Sequence, residues 1–240
     1  MKKLILTTAA LALSAGLAIA ASHGATVRLG TEGAYAPWNF INDNGEVDGF
    51  ERELGDELCK RAELTCEWVT NEWDSIIPNL VSGNYDAIIA GMSITDERDE
   101  VIDFTQAYTP PDPSSYLATS ADVDVESAVI AAQAATIQAA FIAEQGWTLV
   151  EFATPEETVA AVRNGEADAV LADKAYLEPF AGQDGLVMLE RSEMIGGGVG
   201  MGLRESDGEL RAKFDAAIQS MKDDGTLNTL IAKWEVASTW

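Results

Sequence analysis

The stretch Ser93-Ile94-Thr95-Asp96-Glu97-Arg98 brings a hydroxyl, a helix-capping residue type and a guanidinium close together. Thr95 at a cap would set Arg98 one turn into a helix, beside backbone N–H groups that no intrahelical carbonyl accepts. A guanidinium is a planar fork that matches a carboxylate, and helix-start N–H groups add to an anion site. Further along, Asp173 ends the apolar run Ala169-Val170-Leu171-Ala172 and offers an acceptor to an ammonium group. If Arg98, Ser93 and Asp173 converge on one cleft, they describe a zwitterion site: carboxylate on Arg98, ammonium on Asp173 and Ser93. Spacing alone leaves a plainer alternative open, in which Arg98 is a solvated helix charge paired with Asp96 or Glu100.

Short apolar runs alternating with helical stripes would position these groups. Residues 27–30 and 66–70 read as strands, 51–63 as a helix, and Asp74 as the cap of a helix that stops at Gly83. Residues 86–90 read as a buried strand. Thr154-Pro155-Glu156-Glu157 has capping-box spacing with proline at the first helical position, and Ser206-Asp207-Gly208-Glu209 repeats the box ahead of a helix running to Gly225. The pattern predicts an α/β fold with parallel sheets.

Ser82-Gly83-Asn84-Tyr85-Asp86-Ala87-Ile88-Ile89-Ala90 matches Asn164-Gly165-Glu166-Ala167-Asp168-Ala169-Val170-Leu171-Ala172: a helix end, a glycine stop, Asp-Ala, then an apolar strand. Shared α/β grammar would give such a match; two lobes of similar build are the simpler account. Open α/β sheets bind ligands beyond the carboxyl ends of their strands, which puts Ser93 and Asp173 on opposite sides of one cleft. The proline-rich stretch 108–113 suits a crossover between lobes, and Gly196-Gly197-Gly198 a return crossover. Two ordinary surface loops are the alternative.

Of the 240 residues, 40 are Asp or Glu against 15 Lys or Arg, a net charge of −25, which argues against a nucleic-acid binder. A single histidine, His23, leaves no histidine cluster for a metal site or a Ser-His-Asp triad. Neither cysteine belongs to a Cys-x-x-Cys motif. Residues 1–20 read as a secretory signal: Lys2 and Lys3, a short apolar run, then Ala18-Ile19-Ala20 with cleavage before Ala21. The run falls short of the about 20 residues that span a bilayer, so a soluble exported product is expected. Export would put Cys59 and Cys66 in a compartment where disulfides persist. They would either staple the helix before residue 63 to the strand beginning at Cys66, or stand as two unpaired thiols.

The ordered motifs extend across nearly the whole chain after residue 20. They are Gly30-Thr31-Glu32-Gly33-Ala34-Tyr35-Ala36-Pro37, Gly49-Phe50, Trp73-Asp74-Ser75-Ile76-Ile77-Pro78, Ala90-Gly91-Met92 running on through Arg98, Ile102-Asp103-Phe104, and Gly165 to Asp173. With them the sequence resembles the periplasmic amino-acid-binding proteins of ABC importers, in the group of lysine/arginine/ornithine-, histidine- and glutamine-binding proteins. The resemblance implies a two-lobed periplasmic-binding-protein-like fold (type II) with two crossover segments at the hinge. Lobe 1 would comprise 21–110 and 197–240, and lobe 2 residues 111–196. Cys59 and Cys66 fall where the histidine-binding branch carries its disulfide.

Carried over residue by residue, the resemblance gives Arg98 the ligand carboxylate, aided by N–H groups of Ser93 and of the Thr136–Ile137 turn. Asp173, the Ser93 hydroxyl and the Gly91 carbonyl take the ammonium. Tyr35 and Trp73 sandwich the ligand side chain, and Glu32, Gln133 and Gln138 lie towards its far end. Ala90 and Gly91 replace serines of the histidine-binding branch, so the contact at Gly91 would be through backbone only. Ala135 stands where the family often has glycine, which is costly if that position needs a positive φ. The implied activity is capture of a polar, cationic amino acid (arginine, lysine, ornithine or histidine) by hinge closure in the periplasm and delivery to an ABC permease. A monomer without cofactor or metal is expected. Two alternatives stand beside it: a receptor for glutamine or another amide, and an arogenate or prephenate dehydratase on the same fold using Glu32 as proton donor.

Overall fold

The alternating runs and stripes fold into two five-stranded sheets and one small three-stranded sheet. The computed structural model describes residues 26–240; the expected leader with its cleavage site, and His23, lie outside the described residues. The first sheet has the order Cys66–Thr70, Val27–Thr31, Ala87–Ile88, Gly202–Leu203, Asp103–Phe104. The second has the order Thr148–Phe152, Val129–Gln133, Ala169–Asp173, Ser114–Ala118, Val187–Glu193. This is the two-lobed α/β architecture. The apolar interiors also divide, one cluster around Leu54, Leu58, Phe214 and Ile218 and another around Leu117, Val159, Val162 and Val170.

The expectation of parallel sheets needs correction, because both sheets are mixed. In each, three strands run parallel. The strand that enters from the other sheet then runs against them: Ser114–Ala118 beside Ala169–Asp173, and Gly202–Leu203 beside Ala87–Ile88. A chain arriving from the opposite lobe reaches the cleft end of its new sheet first, so it must run away from the cleft. Ser114 accordingly pairs with Asp173, the last residue of its neighbour.

The pseudo-repeat has a common job. Asp86 and Asp168 each accept a hydrogen bond from the backbone N–H of the adjacent strand's first residues, Arg28 at 2.9 Å and Val129 at 2.8 Å. The N–H groups of Asp86 and Asp168 donate back to the carbonyls of those same residues, both at 2.8 Å. The aspartates therefore clamp equivalent strand pairs in the two sheets. The ladder after Asp86 is shorter than expected, Ala87–Ile88, although residues 87–90 are all buried.

Helix Phe50–Arg61 packs on Gly208–Asp223 and Thr226–Trp234, so the C-terminal helices belong with the first sheet. Thr154 does form the capping box, with Pro155 opening helix Pro155–Asn164. Two expected caps are absent. Asp74 lies inside a 3-10 turn, Trp73–Ser75, and the following helix Ile76–Val81 starts after Ser75, whose hydroxyl is engaged by Asn71 and Glu72. The second box fails because Ser206 bonds Asp207 and Asp207 pairs with Arg204 at 2.6 Å, leaving helix Gly208–Asp223 without a side-chain cap.

The two crossovers run side by side. Tyr108 N–H donates to the Val199 carbonyl at 2.8 Å, and Thr109 and Ser93 both bridge to Val199. Gly198 makes this approach possible: its φ is +95°, and a Cβ there would sit 2.7 Å from the Thr109 carbonyl oxygen. The C-terminal tail lies against the first crossover, with Trp240 Nε1 donating to the Tyr108 carbonyl at 3.1 Å. Cys59 and Cys66 are joined, with Cα atoms 6.3 Å apart, fastening helix Phe50–Arg61 to strand Cys66–Thr70.

Candidate functional site

Glu32, Tyr35, Trp73, Gly91, Ser93, Arg98, Gln133, Thr136, Ile137, Gln138 and Asp173 all line one cavity between the two sheets, together with Ala90. The segments that follow strands Val27–Thr31, Cys66–Thr70 and Ala87–Ile88 supply one wall. The ends of Val129–Gln133 and Ala169–Asp173, with the start of helix Ile137–Glu144, supply the other. The cavity is narrow, about 30 Å³, because side chains of the two walls meet.

Thr95 caps the short helix Asp96–Asp99, its hydroxyl accepting from Arg98 N–H at 3.2 Å. That turn aims Arg98 inward. Its guanidinium donates to the Ser93 carbonyl at 2.8 Å and lies 5.4 Å from the centroid of the Trp73 ring. Among the described residues no carboxylate lies within salt-bridge distance of Arg98, so the alternative pairing with Asp96 or Glu100 is not formed. Burial pulls the guanidinium down to about 10, which leaves it cationic at neutral pH. A cation held this way, without an anion of its own, is a site for one.

Thr136 builds the facing corner of the cavity. It caps helix Ile137–Glu144 by accepting from Ala139 N–H at 3.2 Å, and its hydroxyl donates to the Gln133 carbonyl at 2.6 Å. The N–H groups of Ile137 and Gln138 precede the first intrahelical acceptor. The loop before the cap turns at Ala135, in the left-handed region at φ +59°. The expected conflict at this position is real, and it costs about 1 kcal/mol relative to glycine. The turn directs the Ala135 carbonyl across the cleft, where it accepts from Trp73 Nε1 at 3.1 Å.

The acids stand at two other points. Asp173 accepts from the Tyr35 hydroxyl at 3.1 Å and from Gln138 Nε2 at 2.9 Å. Burial pushes its carboxyl up to about 6. Glu32 accepts from Gln133 Nε2 at 2.6 Å. Burial pushes it up to about 7, against the pull of that hydrogen bond and with help from the nearby charges of Glu72 and Glu51. Gln138 therefore does not lie beside Glu32 and Gln133, as expected, but at the Asp173 end, because the first turn of its helix points it back towards Ser114 and Asp173.

Tyr35 and Trp73 both face the cavity, each with one ring face already covered. Tyr35 stacks on Tyr176 with centroids 4.4 Å apart and planes at 8°, and Arg98 lies over Trp73. Tyr176, which stacks on Tyr35, and Glu51, beneath Gly91, are not among the residues expected from the sequence. Among the described residues no group of three or more His, Cys, Asp or Glu is placed to hold a metal ion. No helix there is long and apolar enough to cross a membrane.

Residues 27–237 match the family of bacterial extracellular solute-binding proteins, family 3, and the chain belongs to that family. It is 32% identical to the lysine/arginine/ornithine-binding periplasmic protein of Escherichia coli, over 98% of this chain and 97% of that one. It is 31% identical to the octopine-binding periplasmic protein of Rhizobium meliloti, over 90% of this chain and 92% of that one. A crystal structure of a periplasmic His/Glu/Gln/Arg/opine family-binding protein from Silicibacter pomeroyi in complex with lysine is 73% identical. It superposes with a TM-score of 0.87 over 90% of this chain and all of the other. The family and these relatives are binding proteins.

Proposed function

We propose that this protein is a periplasmic receptor that captures a basic amino acid between its lobes and delivers it to an ABC-type permease. The observation that carries the reading is the charge pattern of the cleft: a guanidinium at Arg98 that forms no ion pair among the described residues, set apart from two carboxylates, Asp173 and Glu32. A molecule with one carboxylate and two cationic ends complements it. The lysine held by the Silicibacter pomeroyi protein, and the lysine, arginine and ornithine in the name of the Escherichia coli relative, have that form.

Arg98, the Ser93 N–H and the Thr136–Ile137 turn take the carboxylate. Asp173, the Ser93 hydroxyl and the Gly91 carbonyl take the α-ammonium, with Gln138 orienting Asp173. Tyr35 and Trp73 flank the stem, and Glu32 with Gln133 meets the distal cation. Residues 21–110 and 197–240 form one lobe and 111–196 the other, hinged at the paired crossovers. The exported chain acts as a monomer in the periplasm.

A thermal-shift screen of the twenty amino acids with ornithine and citrulline tests the reading, since a ligand at a hundred times its Kd adds about 2.7 kcal/mol. Lysine, arginine and ornithine should give the largest shifts; a response confined to glutamine or to acidic amino acids would overturn the assignment. A dehydratase reading draws on Glu32, whose carboxyl sits near neutrality. We infer binding without turnover, so incubation with arogenate should release no phenylalanine.

A further inference from the structure

Helix Phe50–Arg61 carries one acid that the solvent does not reach at all, Glu51. Among the described residues no Lys or Arg lies within salt-bridge distance of it. Neutral donors meet it instead. Oε1 accepts from Gly91 N–H at 2.6 Å and from the Tyr108 hydroxyl, and Oε2 accepts from Asn39 Nδ2 at 2.7 Å. Asn39 passes the connection on, its Oδ1 accepting from Gly33 N–H at 2.7 Å. Tyr108 is itself paired with Val199. One side chain thus ties together the loop of Glu32 and Tyr35, the loop of Gly91 and Ser93, and both crossovers.

Hydrogen bonds alone do not require an anion here. A buried carboxylate without a counter-ion costs more than a neutral amide of the same shape. What a charge there adds is a negative field directly behind Gly91, facing Asp173 from the opposite wall of the cleft and close enough for the two carboxyls to influence each other. Buried charges are weakly screened, so such a field reaches into the cleft. Burial pushes the Glu51 carboxyl up, while its three donors pull it down.

We propose that Glu51 is the positioning residue for the amino-group end of the cleft, and that its buried charge selects ligands bearing a protonated α-amino group. This rests on the amino-acid reading above. The test compares wild type, Glu51→Gln and Tyr108→Phe by calorimetry against lysine and ε-aminocaproate, which is lysine without its α-amino group. Glu51→Gln should weaken lysine binding about 10-fold or more and ε-aminocaproate less than about 3-fold. Tyr108→Phe keeps the charge and should hold the preference for lysine within about 3-fold of wild type. Equal losses for both ligands in Glu51→Gln overturn the selection.

Positioning is read without ligand, from amide exchange by NMR. Gly91 and Gly33 N–H groups should exchange faster in Glu51→Gln than in wild type, and unchanged rates overturn it. If Glu51→Gln does not fold, Tyr108→Phe decides: faster exchange at Gly91 with the lysine preference intact supports the proposal, and the reverse pattern overturns it. A wild type that binds no amino acid defeats the amino-acid reading and the selection with it, while the exchange rates still decide the positioning.

Discussion

Arg98 is the residue on which the proposed chemistry of the cleft turns, since it is charged, largely enclosed and forms no salt bridge with a carboxylate among the described residues. Arg98→Ala should weaken lysine binding by roughly 30-fold or more, the cost of leaving a desolvated carboxylate unpaired being about 2–5 kcal/mol. Calorimetry showing less than about a 3-fold loss would take the carboxylate away from Arg98. Glu32→Gln separates charge from shape at the other end. Affinity for lysine and arginine should fall, and affinity for glutamine should hold or rise; equal changes for all would make Glu32 a structural group. Arg98, Ser93 and Asp173 were legible because their types and spacing state a donor-acceptor pattern. Gln138 was placed at the wrong end, because only the helix start shows which way its side chain points. Glu51 belongs to no motif that the sequence offers. Yet it falls on the stripe of Leu54 and Leu58, three and seven residues ahead, and an acid on an apolar stripe is itself a signal.

Elements whose ends are written in side chains were readable, and those decided by competition were not. Thr154, Pro155 and Glu157 have no rival partners, so the box closes as the spacing predicts. Ser206 and Asp207 have Arg204 beside them, and the ion pair wins. The small sheet of Ala34–Tyr35, Asn39–Ile41 and Val47–Asp48, which presents Tyr35, escaped notice because its strands are so short; the Asn44-Gly45 dipeptide was its turn signal. The antiparallel strands follow from how the chain crosses between lobes, which no local pattern records. The fastening of helix Phe50–Arg61 to strand Cys66–Thr70 gives a prediction at this scale. Protein from the periplasm, denatured without reductant, should show close to no titratable thiol; two thiols would refute the bridge. Reduction should cost about 2–3 kcal/mol of stability, given the short loop closed, and leave lysine affinity within about 3-fold because no cleft residue lies in that loop.

For the molecule as a whole, the cleft acids set stability and binding against each other. Glu32 and Asp173 sit at about 7 and about 6, above the ordinary carboxylate values of 4.5 and 3.8. The folded chain therefore keeps protons that the unfolded chain has released, and these groups make the unliganded protein less stable as pH rises through that window. Asp86 works the other way but lower down. Held at about 2 by Arg28 and Arg204 against its burial, it supports the fold above the ordinary value of 3.8 and loses that support as the solution is acidified further. A basic ligand needs both cleft acids ionised, so its affinity rises over the range in which the empty protein weakens. Melting curves with and without lysine between about pH 4.5 and pH 7.5 should show a ligand-induced shift that grows with pH; a constant shift would mean that neither acid meets the ligand. The bond from Trp73 Nε1 to the Ala135 carbonyl spans the two lobes, and its indole is only 8% exposed. Separating the lobes would wet that ring and move its emission to longer wavelength. Of the six tryptophans it alone lines the cleft, so the chain carries its own fluorescent gauge of how far the jaws stand apart, with no label attached.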